Sequence, residues 1–269
     1  MSPSRLHAPF TETSELFDTH VHTELAYCAN DTNVADCVAI AAKIGLDGLC
    51  FTEHAAQLYC TADQFWSRKF IFHPRLWRMG SRDRMDAYFR LTDPYRGPTI
   101  PVGLEAEIDC DGAITVRPED RDRLDLLAGA IHWLPEDTAG LTDAQITQAF
   151  LRTTERLLAA DVDILVHPMR LLDSLRPVPQ EISVAVAEML AATNTVAEIN
   201  FHLNSPELSF VVACIERGVK LTFGSDAHSL CELGQFAPNL ALLRKAAACQ
   251  DVQHLLYKPS VKPRKNNHT

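Results

Sequence analysis

The sequence contains no apolar run long enough to span a bilayer, and its first fifteen residues, MSPSRLHAPFTETSE, lack a basic segment followed by an apolar core. A membrane-spanning helix needs about 20 consecutive, mostly apolar residues, and a secretory signal needs the second pattern. A membrane-spanning or secreted protein is therefore not expected. The sequence predicts a soluble, cytoplasmic protein.

An excess of positive charge is also missing, since the formal net charge is −10 and the pI is near 5.5. The surface as a whole therefore offers no general attraction to nucleic acid or to anionic membranes.

The eight cysteines show none of the spacings of a disulfide framework. In a chain of 269 residues without a secretory signal we expect reduced thiols, most of them small core residues.

Hydrophobic residues make up 46% of the chain, which is enough for a substantial core. Stretches with helical spacing separate most of the short apolar or β-branched runs, which predicts a parallel sheet with helices packed outside it. Seven such runs occur, at residues 16–22, 46–54, 99–109, 124–133, 162–168, 195–200 and 219–228. Asn33 is expected to cap a helix that ends near Gly45, and Thr142 with Gln145 has the spacing of a capping box.

Residues 61–90 form a segment that is too long for an ordinary crossover and is rich in aromatic and basic side chains. We expect an inserted helical lid or wall over one end of the sheet. Its aromatic residues, which we expect to pack the insert onto the barrel, are Phe65, Trp66, Phe70, Phe72 and Trp77. Its basic residues, expected mostly on a solvated face with one or two reaching a substrate, are Arg68, Lys69, Arg75, Arg78, Arg82 and Arg84.

Residues 1–256 are predicted to be one domain, and 257–269 a disordered basic tail.

Potential metal ligands recur at or near the ends of the apolar runs. These residues are His20, His22, His54, Glu105, His132, His167, Asp226 and His228. The carboxyl ends of parallel strands meet at one rim of a barrel, so these side chains are expected to converge. A single strand histidine is more often a hydrogen-bonded core residue. Burying so many titratable groups together without a cation is costly, which favours a metal centre.

The motifs are HVH at 20–22, TEH at 52–54, GLE at 103–105, IH at 131–132, HP at 167–168 and GSDAH at 224–228. In this order they resemble the metal motifs of the PHP (polymerase and histidinol phosphatase) superfamily, over about residues 16–230. The resemblance implies an α/β fold, a distorted (β/α)7 TIM-like barrel with residues 61–90 inserted. It also implies two or three divalent ions, with zinc, manganese and iron as candidates.

The resemblance further implies how the ligands are shared. The first ion would be held by His20, His22, Glu105 and Asp226. Glu105 would bridge to a second ion held by His132 and His167, and a third ion would take His54 and His228. The remaining ligand of that third ion, commonly a histidine in the family, falls here on Cys28. A thiolate suits zinc or iron and is a poor ligand for manganese, so the third site is expected to be biased toward a softer metal or to be weak or empty. A plain buried thiol is the alternative for Cys28.

A carboxylate-bridged metal pair suits phosphate-ester hydrolysis by a metal-activated hydroxide. The first interpretation is a histidinol-phosphatase-like phosphomonoesterase that acts on a small molecule, with Asp226, His202 and Arg170 as catalytic candidates. Arg170 would grip the phosphate, and His202 would be a general acid or a substrate contact, unless it is a helix-entry histidine without a role. Asp18, Glu53 and Glu107 are candidates for orienting ligands, although surface or capping roles explain them equally well.

Three alternatives remain, two of them enzymes and one of them a domain without catalysis. A phosphodiesterase or exonuclease-like PHP enzyme is disfavoured by the acidic charge, which does not suit a polymer substrate. An amidohydrolase-type barrel also begins with an HxH strand but would want a bridging lysine at the fourth strand end, where this chain has His132. A non-catalytic metal-binding domain would explain why Cys28 replaces the histidine that is common in the family. Without catalysis, however, there is no physical reason for so many unpaired histidine and acidic side chains to stay together.

Overall fold

The structure, a computed structural model, describes residues 15–80, 82–175, 178–203 and 205–262. Seven parallel strands pair in chain order and close into a barrel. The strands are β1 Phe17–Val21, β2 Gly48–His54, β3 Val102–Ala106, β4 Leu126–Gly129, β5 Ile164–Leu165, β6 Val196–Asn200 and β7 Leu221–Gly224. Each strand lies inside one of the seven apolar runs, so the predicted (β/α)7 barrel is confirmed.

Helices cross between most successive strands. Outside the insert they are α1 Val34–Ile44, α2 Ala55–Tyr59, α7 Pro118–Arg121, α8 Asp143–Ala159, α9 Gln180–Thr193, α10 Leu208–Glu216 and α11 Ala237–Ala247, with 3₁₀ turns at Arg170–Leu175 and Gln253–Leu255. The Asn33 side chain accepts the Asp36 N–H, and Gly45 ends α1 at a φ of 83°. Thr142 and Gln145 form the expected capping box at α8. Both predicted helix starts are confirmed.

The insert is helical, as predicted, and consists of α3 Ala62–Trp66, α4 Lys69–Phe72, α5 Arg75–Met79 and α6 Met85–Thr92. Phe65, Phe70 and Trp77 are buried and pack it onto the barrel, whereas Trp66 remains 52% exposed. Two of its basic side chains reach outside the insert, because Arg78 pairs with Asp109 and Arg84 donates to the Leu25 carbonyl. Lys69 pairs with Asp63 on the surface.

The contact between β1 and β7 closes the barrel and continues past the ends of both strands. The Asp226 N–H donates to the His20 carbonyl at 2.8 Å, and the His22 N–H donates to the Ala227 carbonyl at 3.2 Å. These bonds bring the loop after β7 beside the HVH segment. Residues that are about 200 positions apart are therefore neighbours at the carboxyl rim.

The end of the described chain contacts the barrel near the amino ends of β4 and β7. Tyr257 packs against a buried cluster that includes Cys50 and Leu126, and its N–H donates to the Leu221 carbonyl at 2.7 Å. The Lys262 N–H donates to Asp125. Barrel contacts thus extend past the predicted boundary at residue 256, and the rest of the predicted tail, 263–269, lies outside the described residues. No helix within the described ranges has the length and hydrophobicity needed to cross a bilayer.

Candidate metal centre

The eight predicted ligands converge at the carboxyl rim around the carboxylate of Glu105. We call them the histidine cluster: His20, His22, His54, Glu105, His132, His167, Asp226 and His228. Glu105 Oε1 lies 2.9 Å from His167 Nε2 and 3.3 Å from His132 Nε2. Glu105 Oε2 lies 2.5 Å from His54 Nδ1. Glu105 therefore lies at the centre of the histidine cluster.

Ligand atoms within the cluster fall into groups whose members lie within 4.8 Å of one another. The groups are His20 with His22 and Glu105, His20 with His167 and Asp226, His54 with Glu105 and His132, and His22 with His54 and His228. The first two contain the predicted ligands of the first ion. The third group places His54 with Glu105 and His132, whereas the resemblance assigned His54 to a third ion with His228. The groups therefore share residues.

Buried carboxylates fix the orientation of three rings. The Nδ1 atoms of His20, His22 and His132 lie 2.9, 3.2 and 3.0 Å from carboxylate oxygens. Their partners are Glu198, Glu53 and Glu107, respectively. Such a contact fixes the tautomer and turns Nε2 toward the cluster, as is usual for metal-binding histidines. The orienting role considered for Glu53 and Glu107 agrees with this geometry, because both side chains are buried.

Glu198 was missed by the sequence analysis, although it lies in the sixth apolar run. Its side chain also accepts the His167 N–H at 2.6 Å, so it holds two ligand residues at once. The Glu198 side chain crosses β7 at Gly224. A side chain at position 224 would leave it no room, because a Cβ there would lie 1.7 Å from Glu198 Oε1. A charged residue inside an otherwise apolar strand is the signal that would have pointed to it.

Two ligand residues have left-handed backbone conformations that are uncommon outside glycine. His167 has a φ of 31° and Asp226 a φ of 54°. Conformations of this kind cost about 1–3 kcal/mol each and persist where the surroundings impose them. The hydrogen bonds to Glu198 and to the His20 carbonyl supply that constraint here.

The cluster fits divalent metal ions because several of its buried ligand atoms have no partner outside the cluster. His20 Nε2 makes no hydrogen bond with the described residues, and His54 Nδ1 and Glu105 Oε2 contact each other inside the cluster. Buried polar atoms of this kind are costly unless something binds them. Imidazole nitrogens with carboxylate oxygens form the donor set that zinc, iron and manganese accept.

The charge states of three members of the cluster suit metal binding. Burial opposes protonation of His20 and His54, but neighbouring carboxylates raise the pKa of both rings well above the usual value. Burial and the nearby Arg170 guanidinium lower the pKa of His167 to about 3, and burial lowers that of His132 to about 3. Both rings are therefore neutral at pH 7 and keep a free lone pair. Burial opposes ionisation of Glu105, but the surrounding histidines hold its pKa well below the usual range. The carboxylate is therefore ionised and able to bind a cation.

A pocket of about 340 Å³ opens onto the cluster. Asp226, His202 and Arg170, the three catalytic candidates, all line it. Arg170 donates to Asp226 Oδ2 at 2.8 Å and lies 3.0 Å from His167 Nε2. In the part of the chain that the structure describes, none of the six basic side chains of the insert lines this pocket.

His202 lies at the rim of the pocket. Its ring stacks on that of His228 with centroids 5.2 Å apart, and its Nδ1 lies 3.4 Å from Glu232 Oε1. Burial lowers the pKa of His202, although Asp226 and Glu232 oppose this effect. A neutral ring favours a substrate contact over a general acid.

Cys28 lies beside His54 and His228, the two residues with which the resemblance assigned it to a third ion. Its thiol is in hydrogen-bonding contact with His228 and His54, and Gln57 Nε2 donates to its sulfur at 3.5 Å. Burial alone would raise the pKa of Cys28, but these contacts lower it to about 5. All eight cysteines lie in the described ranges and are free.

Fold and site together define a class: seven-stranded parallel barrels with a cluster of histidines around a buried carboxylate at the carboxyl rim. No protein-family model matches the chain. A probable phosphatase from Shewanella sediminis is 29% identical over 241 residues, which cover 86% of this chain and 85% of the relative. A probable phosphatase from Thermoanaerobacter pseudethanolicus is 24% identical over 246 residues, covering 88% and 89%.

The chain also resembles a solved structure of histidinol phosphate phosphatase from Lactococcus lactis, determined with zinc, L-histidinol and phosphate. The TM-score is 0.58 at 17% identity, and the match covers 93% of this chain and 99% of that one. At this identity the likeness is one of fold. Together with the relatives named as phosphatases, it confirms the resemblance to histidinol-phosphatase-like PHP proteins.

Proposed function

We propose that this protein is a metal-dependent phosphomonoesterase that acts on a small molecule. The observation that carries the proposal is the convergence of the seven other predicted ligands of the histidine cluster around Glu105, next to an open pocket. Relatives that cover more than four fifths of the chain are named probable phosphatases, which supports the same reaction.

Different residues would bind the metal ions and the substrate. Two or three divalent ions, with zinc, manganese and iron as candidates, would be held by the histidine cluster and Cys28. When bound, such ions activate water and stabilise negative charge on a transferring phosphoryl group. Asp226 would act as a ligand next to the reacting atoms. Arg170, which already contacts Asp226, is directed into the pocket and would pair with phosphate oxygens.

His202 would contact the substrate from the part of the pocket beside His228. A neutral imidazole has one N–H to donate, and here it would donate to the phosphate or to the leaving-group oxygen. The nearby Glu232 side chain keeps the ring in place. Loss of His202 is therefore expected to impair substrate binding more than metal binding.

The shape and charge of the molecule favour a small monoester over a polymer. The pocket volume of about 340 Å³ suits a metabolite-sized group, and the formal net charge is −10. Binding of a nucleic acid would call for a basic groove along which a strand can run.

We further propose that residues 15–262 act as one barrel domain and that the eight free thiols reflect a reducing, cytoplasmic environment.

The proposal is tested by removing metal from the purified protein and reloading it separately with manganese, zinc and iron. Phosphate release is then measured from a panel of phosphomonoesters, with a phosphodiester in parallel. We expect metal-dependent release from monoesters, and none from the Glu105→Ala protein. Turnover of the diester alone would favour the diesterase alternative, and no turnover of either would favour a metal-binding domain without catalysis.

A further inference from the structure

The pocket beside the histidine cluster has an apolar portion that metal binding does not use. Six of its lining residues belong neither to the predicted ligands nor to the catalytic candidates, and four of the six are apolar: Phe65, Trp66, Trp133 and Leu203. Trp133 packs edge-on to Phe65 with ring centroids 5.5 Å apart. The insert, the loop after β4 and the loop after β6 therefore each contribute hydrocarbon to the wall.

The two polar residues of this set already bond to the loop after β7. Asn30 Nδ2 donates to Ser229 Oγ at 3.0 Å. Glu232 Oε2 accepts the N–H groups of His228 and Ser229, both at 2.8 Å. These contacts use hydrogen-bonding groups that a sugar or another polyol would need from the pocket.

Leu203, in the loop after β6, is unusual in both backbone and exposure. It has a φ of 46° and is 83% exposed. This left-handed conformation is uncommon for residues with a Cβ, and asparagine adopts it more readily than leucine does. An exposed leucine side chain also contributes little to folding, because it stays in water. A residue that is disfavoured by its backbone and by its solvation indicates a role other than stability.

Trp66 is the second exposed apolar side chain of the pocket wall. Large apolar side chains are exposed at six positions in the described ranges, and two of these, Trp66 and Leu203, line this same pocket. A hydrocarbon group that bound against them would remove both from water. Their exposure beside the histidine cluster is therefore explained by a ligand that occupies the pocket.

We propose that Leu203 and Trp66 determine specificity, selecting phosphomonoesters whose leaving alcohol is apolar over esters of sugars and other polyols. The inference rests on the proposed function, in which Arg170 and bound metal hold the phosphate. Covering hydrocarbon with an apolar wall is favourable in proportion to the area removed from water. A polyol in the same position would lose its hydrogen bonds to water without replacement.

The apolar contact can be measured without turnover. Metal-loaded, full-length protein is titrated calorimetrically with pentylphosphonate and with methylphosphonate, whose carbon–phosphorus bonds the proposed reaction does not cleave. Pentylphosphonate is expected to bind at least about 10-fold more tightly, because it has four more methylene groups to cover. In Leu203→Asn this advantage should fall by about 3- to 10-fold, while the affinity for methylphosphonate is unchanged.

Thermal unfolding of the same variant separates specificity from structure. Because asparagine tolerates the left-handed backbone, Tm of Leu203→Asn should equal or exceed that of the wild type, whereas a structural role for the leucine would lower it. Leu203→Met remains apolar and should keep most of the advantage. Met79→Asn is the matched control, since Met79 is 80% exposed and does not line the pocket. Equal binding of the two phosphonates to wild type, or an unchanged advantage in Leu203→Asn, would overturn the inference.

Discrimination against polyols is measured as kcat/KM for pentyl phosphate and for ribitol 5-phosphate, whose leaving alcohols have the same number of carbons. Ribitol is the more acidic alcohol, so a preference for pentyl phosphate would come from binding rather than from leaving-group basicity. We expect a preference of at least about 10-fold, and a preference for the ribitol ester would contradict the proposed specificity. Tight binding of pentylphosphonate without phosphate release from any monoester would instead overturn the hydrolase and leave the apolar contact established.

Discussion

Arg170 joins the metal ligands to the pocket, since it contacts both Asp226 and His167 and also lines the space where a substrate would bind. Arg170→Ala is expected to lower kcat/KM for phosphomonoesters by about 10- to 100-fold, because hydrogen bonds to charged groups contribute about 1.5–3 kcal/mol. Arg170→Lys should recover only part of the loss, since an ammonium cannot form the same paired contact. Steady-state kinetics of both variants measure this. An unchanged kcat/KM in Arg170→Ala would remove the residue from the site.

Glu198 holds the His20 ring and the His167 backbone at the same time, although it touches no predicted ion. Glu198→Gln retains the shape but loses the charge, and we expect metal affinity to fall by about 10- to 100-fold. Competition with a coloured chelator measures that affinity. Glu188→Gln, which changes an exposed carboxylate on α9, is the matched control and should bind metal normally. Equal metal affinity in both variants would contradict the orienting role of Glu198.

At the scale of elements, the insert of α3 to α6 provides one wall of the pocket through Phe65 and Trp66. Trp66 is half-exposed, although Phe65 and Phe70 beside it are buried. Because the Trp66 side chain is exposed and lines the pocket, it can contact the leaving group of a substrate. The insert therefore has both a packing face and a substrate-facing edge.

Trp66→Ala is expected to raise KM for 2-phenylethyl phosphate by about 2- to 10-fold, since aromatic contacts contribute about 0.5–1.5 kcal/mol. The KM for propyl phosphate, which has an alkyl leaving group of similar basicity but no ring, should stay nearly constant. Phe72→Ala alters another exposed aromatic residue of the insert that does not line the pocket, and it serves as the control. Parallel loss with both substrates would mean that Trp66 supports the insert rather than the leaving group.

Periodicity and strand ends made the elements and their ligands predictable. A histidine two residues from another in a strand shares its face, and the carboxyl ends of parallel strands share a rim, so HVH and GSDAH could be assigned to one site. The carboxylates behind the rings were harder to predict. Glu198 meets His20 only because Gly224 leaves room on the intervening strand, and that contact depends on barrel register rather than on local sequence. The nearness of His54 to Glu105 is set by the same three-dimensional packing.

At the scale of the whole molecule, bound metal should contribute to stability, because the unfolded chain cannot assemble the cluster. At a free metal concentration about 100 times Kd, binding stabilises the folded state by about 2.7 kcal/mol. For a chain of this size, chelation should lower Tm by roughly 5–10 °C. Thermal unfolding with and without chelator measures the shift. Glu105→Ala protein should show a much smaller shift, and an equal shift in that variant would mean that the stabilising metal binds elsewhere.

The acidic surface makes a further prediction about ionic strength. A small dianion held by Arg170 and bound metal is a local interaction, so kcat/KM for a monoester should change by less than about 3-fold between 50 and 200 mM salt. Binding to a nucleic acid through many phosphates would weaken by about 10³-fold or more over that range. A steep decline in activity would favour the exonuclease-like alternative.

The closure of the barrel by β1 and β7 has a consequence for biosynthesis. His22 and Asp226 meet although 204 residues separate them, and the ligands between them are spread along most of the chain. During translation the first histidines emerge long before the last ligands exist. The full set of ligands can therefore form only after the last strand has left the ribosome and paired with the first, and metal loading would report that folding is complete.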